Sequence, residues 1–178
     1  MLTDSTTRYG WISILLHWIG AALILYLFID GQRAEHALWS SGVREWHIAA
    51  GAAASLVLLP RVLWRLMQAI PAPLSEGRLL NGVAAVVKLA LLIDIVLSLL
   101  TGWLAVWLNG QPVTLLGVPL ASPFAGSHDM HEAMAGVHSL LVHLFIPIVA
   151  LHVLGALKHL VWDRDRTIVR MLWARGDA

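Results

Sequence analysis

Four long apolar stretches, each closed by polar or turn-forming residues, organise the chain. They run over 11–29, 46–67, 83–108 and 136–162. Coiled into helices at about 1.5 Å per residue, each is long enough to cross roughly 30 Å of hydrocarbon. The link "QAIPAPLSEGR" between the second and third stretches is rich in proline and glycine and must break the helix. The link "NGQPVTLLGVPLASPFAGSHDM" before the fourth is longer and predicts an ordered cap with turns. No internal repeat or low-complexity tract interrupts this plan. The pattern predicts an all-α fold, an integral membrane four-helix bundle, with residues 1–178 forming one transmembrane domain.

Composition strengthens the membrane assignment. Of 178 residues, 58% are hydrophobic and 13% charged, with a mean hydropathy of +0.74. A soluble domain of this size cannot bury that much apolar surface, so the lipid bilayer is the expected surround. The absence of cysteine excludes disulfides and thiolate-bound metals. A net charge of +1 gives no basis for nucleic-acid binding. "MLTDSTTRYGWISILLHW" leads directly into the first stretch with no small-residue cleavage site, which predicts no cleaved signal.

The distribution of charge adds orientation. Arg8, Arg61, Arg65, Arg78, Lys88, Lys158, Arg164, Arg166, Arg170 and Arg175 fall on one side of the four spans, against Arg33 and Arg44 on the other. The excess of Lys and Arg marks the cytoplasmic side, so both termini are expected there.

The candidate chemistry lies in the histidines. His138, His152 and His159 are separated by multiples of seven and share one helix stripe, which His131 extends upstream and His143 leaves. Orientation gives each ring a depth. His17 and His152 lie toward the cytoplasmic side, whereas His47 and His138 lie toward the outside. Fourteen residues separate His138 from His152, a rise of roughly 21 Å. Two bis-imidazole sites stacked across one bundle is the simplest reading. His131 competes with His138 from about 10 Å further out. A membrane histidine can also simply bond a neighbouring backbone carbonyl.

The chemistry favours haem. Zinc takes three or four protein ligands, often thiolate or carboxylate, whereas each level here offers two imidazoles. A porphyrin brings its own four equatorial nitrogens and needs only axial ligands. Gly20, Gly51 and Gly155 stand one turn beyond His17, His47 and His152 and leave room for a flat group, although glycine also serves plain helix packing. His36 and His128 read as solvated loop residues, His143 as structural, and Trp11, Trp18, Trp46, Trp103, Trp107 and Trp162 as an interfacial belt. Trp18 also stands beside His17.

The stretches "RYGWISILLHW", "WHIAAG", "RVLWRL" followed by "PAP", "LLTGWL", "GQPVTLLGVPL" and "LHVLGALKHLVWDRDRTIVRML" together resemble bacterial cytochrome b561, in order and over nearly the whole chain. The resemblance implies a bacterial inner-membrane protein with two haem b groups, exchanging electrons with ubiquinone as a quinone-linked oxidoreductase. One branch of the family oxidises superoxide, which would approach from the periplasmic side. The implied axial ligands are His17, His47, His138 and His152, the four that spacing also selects.

This chain departs from the family pattern where quinone binds. Lys88 replaces a histidine, Leu92 a tyrosine, and Lys158 with His159 a histidine pair. Lys88, His159 and Arg78 are the expected quinone-site donors, with binding to lipid headgroups as their alternative role. Arg61 and Arg65 are expected to meet haem propionates or anionic lipid. Two other functions compete: a cytochrome subunit relaying electrons from a partner dehydrogenase or hydrogenase, and a histidine-lined metal transporter. A transporter would normally place carboxylates on its pathway helices, and only Asp94 qualifies.

Overall fold

The computed structural model describes residues 1–36, 42–74 and 77–174, and Arg175, counted above among the inner basic residues, lies outside them. Four long helices dominate: α1 (Trp11–His36), α2 (Val43–Met67), α3 (Arg78–Leu108) and α4 (His128–Lys158). A two-stranded antiparallel hairpin, β1 (Val113–Leu115) and β2 (Val118–Leu120), lies between α3 and α4. After α4 the chain makes a wide π turn over His159–Asp163 and ends in a short helix, α5 (Thr167–Arg170). All four long helices are apolar enough to cross a membrane, and the protein is a helical membrane bundle.

The helices overrun the apolar stretches that announce them. Hydropathy marks where lipid ends, whereas backbone hydrogen bonding continues until a cap or a turn stops it. Thus α1 continues seven residues beyond Ile29, from Asp30 to His36. The break between α2 and α3 falls where proline and glycine place it.

The long link before α4 does form a cap with turns, and its centre is a β-hairpin. Val113 pairs with Leu120 and Leu115 with Val118. Leu116 and Gly117 turn the chain with φ of 49° and 84°, the two-residue geometry whose twist matches flanking strands. Ser122 Oγ donates to Trp107 O at 2.6 Å and Trp107 Nε1 to Leu120 O at 3.3 Å, tying the hairpin to the end of α3. Ser127 caps α4 by accepting from Met130 N.

Packing is uneven in a way that frames the site. Ala54, Leu58, Val62 and Ile95 form the buried core where α2 meets α3, and Leu23, Leu27 and Phe145 pack against it. α1 packs along α2 and α4 along α3, but no comparable close packing joins α4 to α1 or α2. None of the described residues of α4 is fully buried.

Both termini gather at one end of the bundle. Ala72 N donates to Thr6 O at 2.8 Å, Arg170 Nη1 to Ala72 O at 3.0 Å, and Trp18 Nε1 to Met171 O at 2.7 Å. These bonds stitch the N-terminal segment, the α2–α3 link and the C-terminal segment together. Gly10 is required here, because a Cβ would collide with the backbone of Leu2. The opposite end carries the hairpin.

Candidate functional site

Two histidine pairs bridge the gap that α4 leaves. At the terminal end, the rings of His17 (α1) and His152 (α4) have centroids 6.3 Å apart with planes inclined at 63°. At the hairpin end, His47 (α2) and His138 (α4) stand 6.5 Å apart at the same inclination. A metal between two imidazoles, at about 2 Å from each coordinating nitrogen, needs a centroid separation of this order once the ring radii are added. Among the described residues no ring is paired with His131. Its Nδ1 donates to Ala105 O at 2.8 Å, which makes it a bond between α4 and α3.

Contacts on the other ring nitrogen decide what each imidazole can offer. His138 Nδ1 lies 2.9 Å from Ser98 O, and a carbonyl only accepts, so Nδ1 carries the proton and the Nε2 lone pair is free. Thr101 Oγ1 lies 3.3 Å from the same nitrogen while donating to Leu97 O at 2.7 Å. Gly102 lets α3 approach this ring, since a Cβ there would meet His138 Cε1 at 3.2 Å. His47 Nδ1 faces Asp30 Oδ2 at 3.4 Å, and Asp30 is 6% exposed. His17 Nδ1 faces Arg61 Nη2 at 3.3 Å.

Room for a flat group is present beside the rings. Among the described residues a Cβ at Gly51 or Gly155 would meet nothing within 4 Å beyond its own helix backbone, and they lie on the helix faces that carry His47 and His152. Gly20 serves differently: the stem of Arg61 lies against it, so a Cβ would meet Arg61 Cδ at 2.8 Å. Arg61 Nη1 is buried without a hydrogen-bond partner, an unsatisfied cationic donor beside the His17–His152 pair that suits the carboxylate of a bound group. The donor set, the gap and the orphan donor together fit a tetrapyrrole better than a small ion.

The remaining candidates are placed as follows. Lys88 projects from α3 at the terminal end and is exposed, while His159 opens the π turn after α4. His159 Nδ1 is held by Asp165 Oδ2 at 2.7 Å and approached by Asp163 Oδ2 at 3.1 Å. Lys158 Nζ grips Asp163 at 2.6 Å. Arg78 is the exposed first residue of α3, and among the described residues no bond joins it to Lys88 or His159. Arg65 reaches Asp4 at 3.9 Å.

Asp94 is 6% exposed, and among the described residues no hydrogen bond or ion pair reaches it, so it is not paired with Lys88. His143 bonds Ser139 O in its own helix, and His36 and His128 are exposed. Trp18 stands edge-on to His17 at 5.3 Å while its nitrogen holds the C-terminal segment.

Sequence reasoning did not single out Asp30, because the apolar run stops at Ile29. An acidic residue directly following an apolar run, on a helix with no break after it, was the available signal.

The family model of prokaryotic cytochrome b561 matches residues 8–174. The chain belongs to that family. It is 29% identical to cytochrome b561 homolog 2 of Escherichia coli (strain K12), over 96% of this chain and 94% of that protein. It is 20% identical to the probable superoxide oxidase CybB of Yersinia pestis, over 93% of this chain and 96% of that protein. As a cytochrome b561 it is a multi-pass membrane electron-transfer protein, and the family implies haem b.

Proposed function

We propose that this cytochrome b561 binds two haem b groups, one between His17 and His152 and one between His47 and His138, and carries electrons across the bacterial inner membrane to ubiquinone. The observation that carries the reading is the meeting of four histidines in two ring pairs on helices otherwise held apart. When bound, the haem supplies a one-electron iron couple at each level. The terminal end is read as cytoplasmic from the ten basic residues on its side against two.

The protein's own residues prepare the sites. Ser98 fixes the tautomer of His138 and thereby aims its Nε2. Arg61 only donates, so it cannot stay on His17 Nδ1 once that nitrogen carries a proton. With the group bound it would stay beside the pair, its stem on Gly20, and its orphan Nη1 would be free to hold a propionate. Lys88 presents a donor at the cytoplasmic level for a quinone carbonyl, and His159, its Nδ1 held by Asp165, presents Nε2, which donates when the ring is an imidazolium.

Superoxide is the proposed donor at the hairpin end. Two superoxide ions lose one electron each to give two molecules of oxygen, and the two electrons with two protons convert one ubiquinone to ubiquinol. Optical spectra of the purified protein before and after dithionite test the haem reading. Two bis-histidine b-type components per chain are expected. A colourless protein, or one haem per chain, would overturn it. A second reading, as the relay subunit of a partner dehydrogenase, would apply if the holoprotein took no electrons from superoxide.

A further inference from the structure

The two ring pairs are built alike but carry opposite charges. At the hairpin end, the carboxylate of Asp30 faces His47 Nδ1 at 3.4 Å, and neither buried atom has a hydrogen-bond partner among the described residues. Gly31 brings α1 so near that ring that a Cβ would meet His47 Cε1 at 3.1 Å, which fixes where the carboxylate sits. At the terminal end, the guanidinium of Arg61 faces His17 Nδ1 at 3.3 Å, its stem seated on Gly20. Lys88, exposed on α3, is a second cation at this end of the bundle. The remaining ligand, His138, meets a neutral carbonyl.

We propose that Asp30 and Arg61 are positioning residues that polarise the membrane path, holding the redox couple at His47–His138 below that at His17–His152. The inference rests on the haem reading above. A carboxylate facing the Nδ1–H of a ligating imidazole would draw that proton toward itself and make the ring a stronger donor, which favours the oxidised metal. A fixed cation beside the other pair favours the reduced metal by the same Coulomb logic. Both charges act away from bulk water, where screening is weak. Each transfer moves one electron between the sites, one oxidised as the other is reduced, with no bond or proton change between them. The chain thus makes the terminal end, where Lys88 and His159 stand, the downhill end for an electron.

The test is spectroelectrochemical titration of the holoprotein, with two haems per chain established first. His138→Ala identifies which midpoint belongs to the hairpin end. Asp30→Asn should raise that midpoint so that its reduced-to-oxidised ratio at fixed potential grows about tenfold, about 59 mV for a one-electron couple, with the other midpoint unmoved. Asp30→Glu should restore it. Arg61→Gln should lower the terminal-end midpoint by a comparable amount, and this arm stands even where Asp30→Asn sheds its haem. Two bound haems whose midpoints ignore both substitutions, or move in the opposite sense, overturn the polarity and leave the haem reading standing. A wild-type protein without two haems overturns the haem reading, and the polarity with it.

Discussion

His17 and His152 come from the first and last membrane helices, yet their rings face each other across 6.3 Å. Aliphatic side chains pack the neighbouring helix pairs together, whereas between α4 and α1 the approach is made by imidazoles. A bundle gains nothing by holding a helix away from its neighbours unless something else fills the gap. For that reason each ring pair is expected to hold its haem as a unit.

Removing either ring of a pair should therefore cost one haem. His17→Ala and His152→Ala should lose the terminal-end haem, and His47→Ala and His138→Ala the hairpin-end haem. His131→Ala should keep both, because that ring bonds Ala105 O. Haem per chain, measured as the pyridine haemochrome, checks this. If His131→Ala removed a haem and His138→Ala did not, the outer assignment would be wrong.

Gly51 and Gly155 give a test of the space itself. Among the described residues, the surrounding turn of its own helix aside, nothing lies within 4 Å of a Cβ at either position, so alanine or leucine should leave helix content unchanged. A leucine projecting over the ligand face should nonetheless exclude the flat group at that level. Loss of one haem with unchanged circular dichroism is the expected result. Full haem content in Gly155→Leu would show that the space beside His152 is not where the cofactor lies.

Much of this was legible in the sequence, and the misses have physical causes. The four ligand candidates stood out because imidazoles are costly in lipid, and because helix rise converts sequence separation directly into depth. Asp30 was hidden because hydropathy reports the lipid boundary and not the helix end. The hairpin was hidden because its strands are three residues long and its turn puts Leu116 at a φ of 49°, a position Asn or Gly would have signalled. The His159–Asp165 contact depends on a π turn and on Arg164 at a φ of 49°, which reverse the chain without any periodic pattern.

That contact bears on the proposed quinone site. Burial alone would raise the Asp165 carboxyl, but hydrogen bonds from Thr167 and the His159 ring together outweigh it and hold it below the usual carboxylate range. A depressed carboxyl contributes above its unfolded value of about 3.9 and is lost only as pH falls through the lower folded value. Asp165 therefore remains an anion through neutral and mildly acidic pH. The double variant Lys88→Ala, His159→Ala should slow haem reoxidation by ubiquinone severalfold with spectra intact, and Asp165→Asn should do so more weakly. Unchanged kinetics in the double variant would assign those residues to lipid headgroups.

Topology is open to a direct check. With the terminal end held together by the Thr6–Ala72 and Arg170–Ala72 bonds, both termini must lie on one side. A C-terminal reporter should be active in the cytoplasm. Activity confined to the periplasm would reverse the orientation, and with it the proposed sides for superoxide and quinone.

Superoxide capture should be slower than in an electrostatically steered enzyme. An anion is drawn by positive potential, and Glu35, Glu45, Asp129 and Glu132 outnumber Arg33 and Arg44 at the hairpin end even with Asp30 withdrawn into the bundle. The cavity of about 420 Å³ beneath the hairpin does not compensate, since residues such as Leu23, Tyr26, Trp46 and Ala53 line it and no charged side chain does. Stopped-flow reduction of the holoprotein by superoxide at several salt concentrations measures the balance. A rate that is flat or rises modestly with salt is expected, because screening then relieves repulsion instead of removing attraction. A fast rate that falls with salt would mean that Arg33 and Arg44 focus the anion after all. No reduction at any salt would remove superoxide as donor and favour a periplasmic protein partner.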